Sequence, residues 1–178
     1  MGAIRHTTKR EVLQRVATLL ESSHAVYKSR VFVMCGNELP PNIKDHDLLT
    51  VSIAGGAFSY REQQGSGENI VPYQGTLQVS LWHTCRTDRQ GVDKDLLLAE
   101  GMGLFRLQAN VLRTMIGQYL HGDEAYDPIL TQGIYAVSDT EASRAADGVF
   151  GRTPAGDMAQ AVLTTNFGTD FHWDLTAE

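Results

Sequence analysis

The amino-acid sequence predicts an α+β fold: an antiparallel sheet covered by a short N-terminal helix and one long helix, in a single domain spanning 1–178. Three observations predict it. Residues 76–82 alternate Leu77, Val79 and Leu81 with Thr76, Gln78, Ser80 and Trp82, the period of a half-buried strand. Residues 93–120 repeat Leu97, Leu104, Phe105, Leu112, Met115, Ile116 and Tyr119 at helical spacing, so one stripe of a helix about 40 Å long faces a core. Strand-like segments also run in series before and after that helix instead of alternating with helices, which favours antiparallel pairing over βαβ units.

In chain order, Thr7 or Thr8 caps a first helix with Glu11 three or four residues on, and Val12, Val16, Leu19 and Leu20 form its apolar stripe. Residues 25–33 have the β-branched and aromatic content of an extended segment, and Leu-Pro-Pro-Asn at 39–42 breaks it. Strand signal returns at 48–53 and again at 57–60. Gly55 and Gly56 lie between, so the pair reads as two short strands or one long strand with a bulge. Residues 61–75 lose all apolar period and read as a flexible hairpin tip. After the strand at 76–82, a charged corner at 86–91 leads into the long helix. His121, Gly122 and Asp123 stop that helix, 129–137 reads as a strand, and 138–157 reads as a second flexible loop. The chain closes on one long or two short strands over 158–175.

The 178 residues, 42% hydrophobic and 20% charged, suit one globular domain with a sizeable core. Fifteen Lys and Arg against 21 Asp and Glu give a net charge of −6 with no basic run, which argues against tight nucleic-acid binding. Cys35 and Cys85 have no CxxC partner and read as free thiols. No stretch reaches the length of a membrane span, and the first residues lack the apolar core of a signal peptide, so the expectation is a soluble, unsecreted protein.

Chemistry finds little anchor. Gly101-Met-Gly103 falls within the predicted helix, whereas a dinucleotide fingerprint opens a helix directly after a strand. Two interior glycines are better explained by close approach to the sheet or to a neighbouring subunit. The six histidines show no metal-ligand spacing, and no cofactor motif is present. His83 and His172 stand nearest to interest, each beside aromatic residues on a predicted strand. Asp45, Asp47, Asp88, Asp93 and Asp95 could form a hydrolytic carboxylate cluster. For Asp93 and Asp95, a helix N-terminus that favours negative charge is the simpler account. An architectural part is a better reading than an enzyme.

The Pro-containing approach to the strand at 48–53, the hairpin, the Gly-Thr-Leu-Gln-Val-Ser-Leu-Trp strand, the Arg-Thr-Asp-Arg corner, the long helix and the closing strands together resemble the tail-terminator or tail-completion proteins of tailed bacteriophages. The resemblance covers most of the chain from about residue 39. It implies a structural virion protein of the tail or neck, assembled in the host cytoplasm: a homo-oligomeric ring, commonly a hexamer. Such a ring caps the tail tube and meets the head-completion or connector protein, while genomic DNA passes through its lumen without specific binding. On that reading Arg61, Glu62 and Glu68, with the corner Arg86, Asp88 and Arg89, are expected subunit or partner contacts, and Gly101 and Gly103 mark close packing. The alternatives are another neck, tail-tube or baseplate component, or a small cytosolic enzyme using His83 or His172 with a nearby Asp.

Overall fold

The computed structural model describes residues 6–34, 47–58, 69–86, 97–99, 103–122, 127–153 and 156–177. A two-residue strand β1 (His6–Thr7) precedes helix α1 (Lys9–Glu21). Thr8 caps that helix by accepting a hydrogen bond from the Glu11 backbone at 3.0 Å, and the Thr7 hydroxyl donates to the Glu11 carboxylate at 2.8 Å. Val12, Val16 and Leu20, each fully buried, form the face that holds α1 to the sheet. At about 1.5–3 kcal/mol for each such side chain, this burial outweighs any helix propensity. A short 3-10 turn (Ala25–Tyr27) then leads to β2 (Val31–Val33), β3 (Leu48–Phe58) and β4 (Ile70–Arg86). Helix α2 (Leu104–Met115) is followed by β5 (Tyr135–Asp139), β6 (Ser143–Thr153) and β7 (Gly156–Asp174).

The seven strands among the described residues make one curled, mixed sheet in the order β1-β7-β4-β3-β2, with β5 and β6 also on β7. Strands β4 and β7 pair antiparallel from Ile70 opposite Asp174 to Arg86 opposite Met158. A flat ladder of that length would run about 55 Å, so the strands must twist and coil to stay over one core. The other edge of β7 is tiled by three short partners: β6 from Gly156 to Val162, β5 from Thr165 to Gly168, and β1 at His172 and Trp173. Backbone bonds from Thr140 to Thr164 and from Thr131 to Asp170, both 2.8 Å, fill the gaps. That tiling makes the last strand central.

The expected fold is corrected here. The sheet is not purely antiparallel, because β2 on β3 and β1 on β7 are parallel. The expected helix over 93–120 does not run as one element among the described residues: it is broken at Gly103 and at Ile116, and α2 between them has 12 residues, one fewer than the 13 of α1. It starts where Gly103 leaves helical geometry (φ −68°, ψ 153°) and ends at Ile116, whose ψ is 132°. Gly117 (φ +80°) and Leu120 (φ +48°) then turn the chain back, and the Gly117 N–H bonds the Ile134 carbonyl at 2.8 Å instead of continuing a helix. Residues 138–157, read as a loop, carry the end of β5, all of β6 and the start of β7. Residues 70–75 belong to β4, while 61–68 lie outside the described residues. Of the expected strand at 129–137, only its end is strand; Ile129, Leu130 and Ile134 instead plug the core beside α2. Two open readings resolve: residues 48–58 are one strand with an irregularity between Ile53 and Gly55, and the closing segment is one strand.

Helices α1 and α2 cover one face of the sheet. Their buried side chains meet Leu49 and Val51 of β3, Leu77, Val79 and Leu81 of β4, and Leu163, Phe167 and Phe171 of β7. The opposite face is polar and partly satisfied: the buried Ser52 and Thr84 hydroxyls have no hydrogen-bond partner among the described residues, while others pair. Ser80 and Thr164 hydroxyls lie 2.8 Å apart, and the Trp82 indole donates to Thr50 at 3.2 Å.

Candidate functional site

The densest polar chemistry sits where the chain joins β3 and leaves β4. His83 is 2% exposed and Asp47 7%. One Asp47 carboxylate oxygen lies 3.0 Å from His83 Nδ1 and accepts the Thr84 backbone N–H at 2.6 Å. A carboxylate only accepts, so Nδ1 carries the proton and Nε2 faces inward, without a hydrogen-bond partner among the described residues. Tyr27, fully buried, stands close enough to Asp47 to feel its charge; burial first, and Asp47 second, push its phenol far above the ordinary range. Asp47 and His83 stand 36 residues apart in the chain, and the pairing of β3 with β4, Leu48 opposite Trp82, brings them together. Asp45, Asp88, Asp93 and Asp95 lie outside the described residues.

His172 has a different neighbour. It stacks on His6 across the β1–β7 pair, with ring centroids 6.5 Å apart and 22° between planes. Close by, Phe58, Tyr73, Phe171 and Trp173 form an aromatic ladder on the helix side of the sheet, with adjacent rings 5.3–6.2 Å apart. The Lys9 ammonium caps it, 3.9 Å from the Trp173 ring centre and 4.4 Å from that of Tyr73. No sequence pattern pointed to Lys9, since residues far apart in the chain supply the rings.

Of the expected contact residues, Arg86 ends β4 with its side chain exposed. Arg61, Glu62, Glu68, Asp88, Arg89 and Gly101 lie outside the described residues. Gly103 is described and packs tightly, though against its own chain: a Cβ there would stand 2.6 Å from the Ala99 nitrogen and 2.7 Å from the Leu97 carbonyl oxygen. It lies at the start of α2, not in the interior of a helix.

The stripe read along the long helix divides in two. Leu104, Leu107, Val111 and Met115 face the core, whereas Phe105, Ile116 and Tyr119 are about half exposed. Val33 and Phe58 stand exposed on the β2–β3 side of the sheet, and Tyr135 and Val137 on β5. Among the described residues, no group of three or more His, Cys, Asp or Glu side chains converges to hold a metal, and no helix is long and apolar enough to cross a membrane. Neither a protein-family model nor a curated protein matches this chain.

Proposed function

We propose that this chain is a structural virion protein, a tail terminator whose copies form a ring that caps the tail tube and joins it to the head-completion or connector proteins. One observation carries the reading beyond the resemblance in sequence. Among the described strands, none pairs with β3 beyond Val51 on one side of the sheet or with the outer edge of β5 on the other. Open edges are sites of strand addition. β3 runs with β7, and β5 runs against it, so identical copies set side by side present antiparallel edges to one another. A head-to-tail contact of that kind closes into a ring when its rotation allows. The net charge of −6 suits a lumen that lets DNA slide.

Native mass spectrometry and negative-stain imaging of the purified chain, alone and with tail tubes, test this. Rings are expected, with tubes that stop growing once capped. A chain that stays monomeric at high concentration and ignores tail tubes overturns the reading, and binding along the tube wall or baseplate assigns it to another tail component.

The buried Asp47–His83 pair favours a second reading, an acid–base enzyme in which Asp47 orients the imidazole. Nε2 is shut away from solvent, so substrate access requires the cover over His83 to open. Under this reading His83→Ala abolishes an activity while assembly is unchanged; loss of assembly or stability alone sinks it.

A further inference from the structure

Helix α2 has more apolar surface than its own core uses. Besides the buried stripe, Phe105, Ala109, Leu112 and Ile116 recur at helical spacing and make a second stripe roughly a quarter-turn or more away, at about 100° per residue. Phe105 is 45% and Ile116 50% exposed, with Leu112 half-buried between them. Gln108 lies between the two stripes and donates to Asp139 at 3.0 Å and to Thr165 at 3.3 Å. The outer stripe therefore lies on the β5 side of α2, over an edge of the sheet.

The opposite edge offers a match on the same face. Val33 pairs with Val51, and Phe58 pairs with Tyr73, both core-side positions, yet Val33 and Phe58 remain 49% and 56% exposed. Charge agrees with the polarity of the strands. Lys28 and Arg30 stand just before β2, and Asp139 and Glu141 at and just beyond the end of β5. Register across the sheet puts Val33, Val51, Val79, Thr165 and Asp139 at one height. In a copy set alongside, Asp139 therefore comes level with Val33, and Glu141, just beyond β5, comes beside the start of β2 and Arg30, acid beside base.

We infer that a second copy of this chain occupies the outer α2 stripe, the α2–β5 edge of one copy docking on the β2–β3 edge of the next; this rests on the tail-terminator reading and specifies its subunit contact. The interface is heterologous: no residue of it meets its own equivalent.

The test uses the full chain in a Cys35→Ser, Cys85→Ser background with Val33→Cys or Val137→Cys, treated with a short bis-maleimide. Mixing the two variants should yield a cross-linked dimer that neither yields alone, and the doubly substituted chain should yield a closed series ending at the ring. In parallel, Glu141→Lys should weaken self-association at least tenfold, and adding Lys28→Glu should restore it, with unchanged melting in both. Cross-links between like variants identify a two-fold contact and overturn the inference. Rings in native mass spectra without the mixed cross-link overturn this interface while leaving the ring reading intact. Absence of both rings and cross-links overturns both, and protection of Val137→Cys only by added tail tubes assigns the face to the tube protein instead.

Discussion

Asp47 holds His83 at 3.0 Å and the Thr84 backbone at 2.6 Å through one carboxylate oxygen, so the start of β3 and the end of β4 are tied by a single buried acid. Hydrogen bonds to a buried charged group contribute about 1.5–3 kcal/mol, and a partner left alone costs its full desolvation. Asp47→Ala is therefore expected to cost about 3 kcal/mol in urea unfolding, because it strips both donors at once. His83→Ala should cost less, since the Thr84 bond survives. Equal, near-zero effects would mean the clamp holds nothing.

Tyr27 makes the opposite prediction. Its hydroxyl is buried with no partner among the described residues, so Tyr27→Phe should leave stability unchanged or raise it by about 1 kcal/mol. The folded phenol is pushed upward by burial and then by Asp47, and it stays neutral where the unfolded chain ionises. The native protein thus keeps this contribution fully below the unfolded pKa of about 10, and loses it as pH rises beyond that toward the folded value. Tyr27→Phe should flatten the alkaline limb of a stability–pH curve; an unaltered limb counts against this account.

Gly103 allows a direct comparison with its helix neighbour Arg106. A Cβ at 103 meets backbone atoms of Leu97 and Ala99 below 3 Å, and backbone cannot swing aside as a side chain does. Gly103→Ala should cost about 1–3 kcal/mol, the range for overpacked sites. Arg106, exposed on α2, should tolerate Ala within about 0.5 kcal/mol. Thermal melts of the two variants decide it.

Lys9 joins α1 to the aromatic ladder. Lys9→Met keeps the stem and removes the charge, and is expected to cost about 1 kcal/mol with a shift in Trp173 fluorescence. Loss of charge without either change would show that the stem alone does the packing.

Asp174 carries a pH effect near the end of β7. Its carboxyl is held below the ordinary range chiefly by the Thr176 hydroxyl, then by the Thr176 backbone N–H. Its contribution to stability is present above the unfolded carboxylate pKa and is lost as pH falls through the lower folded value. In an NMR titration, Thr176→Val should move the Asp174 midpoint upward; a fixed midpoint would rule out the hydroxyl as its cause.

Local pattern was legible where one segment settles its own structure. Thr8 before Lys9–Glu21, with Val12, Val16 and Leu20 on one side, names its helix because the cap and stripe lie within 13 residues. The alternation about Leu77, Val79 and Leu81 likewise named β4. The α2 stripe misled because two apolar faces lay on one helix, and periodicity gives spacing without saying which face meets the core. Residues 138–157 looked loose because their Ala, Gly and Asp have low strand preference, which the ladder to β7 overrides.

By itself, then, the sequence determined that α1 and β4 exist and which of their faces are apolar, since propensity, capping and period act between near neighbours. Tertiary structure decided the rest. Only the β3–β4 register brings Asp47 to His83, only the return of 117–120 against Ile134 ends α2 at 12 residues, and only the tiling of β7 makes the last strand central. Each depends on burial and hydrogen bonds between segments distant in the chain, which no local pattern encodes.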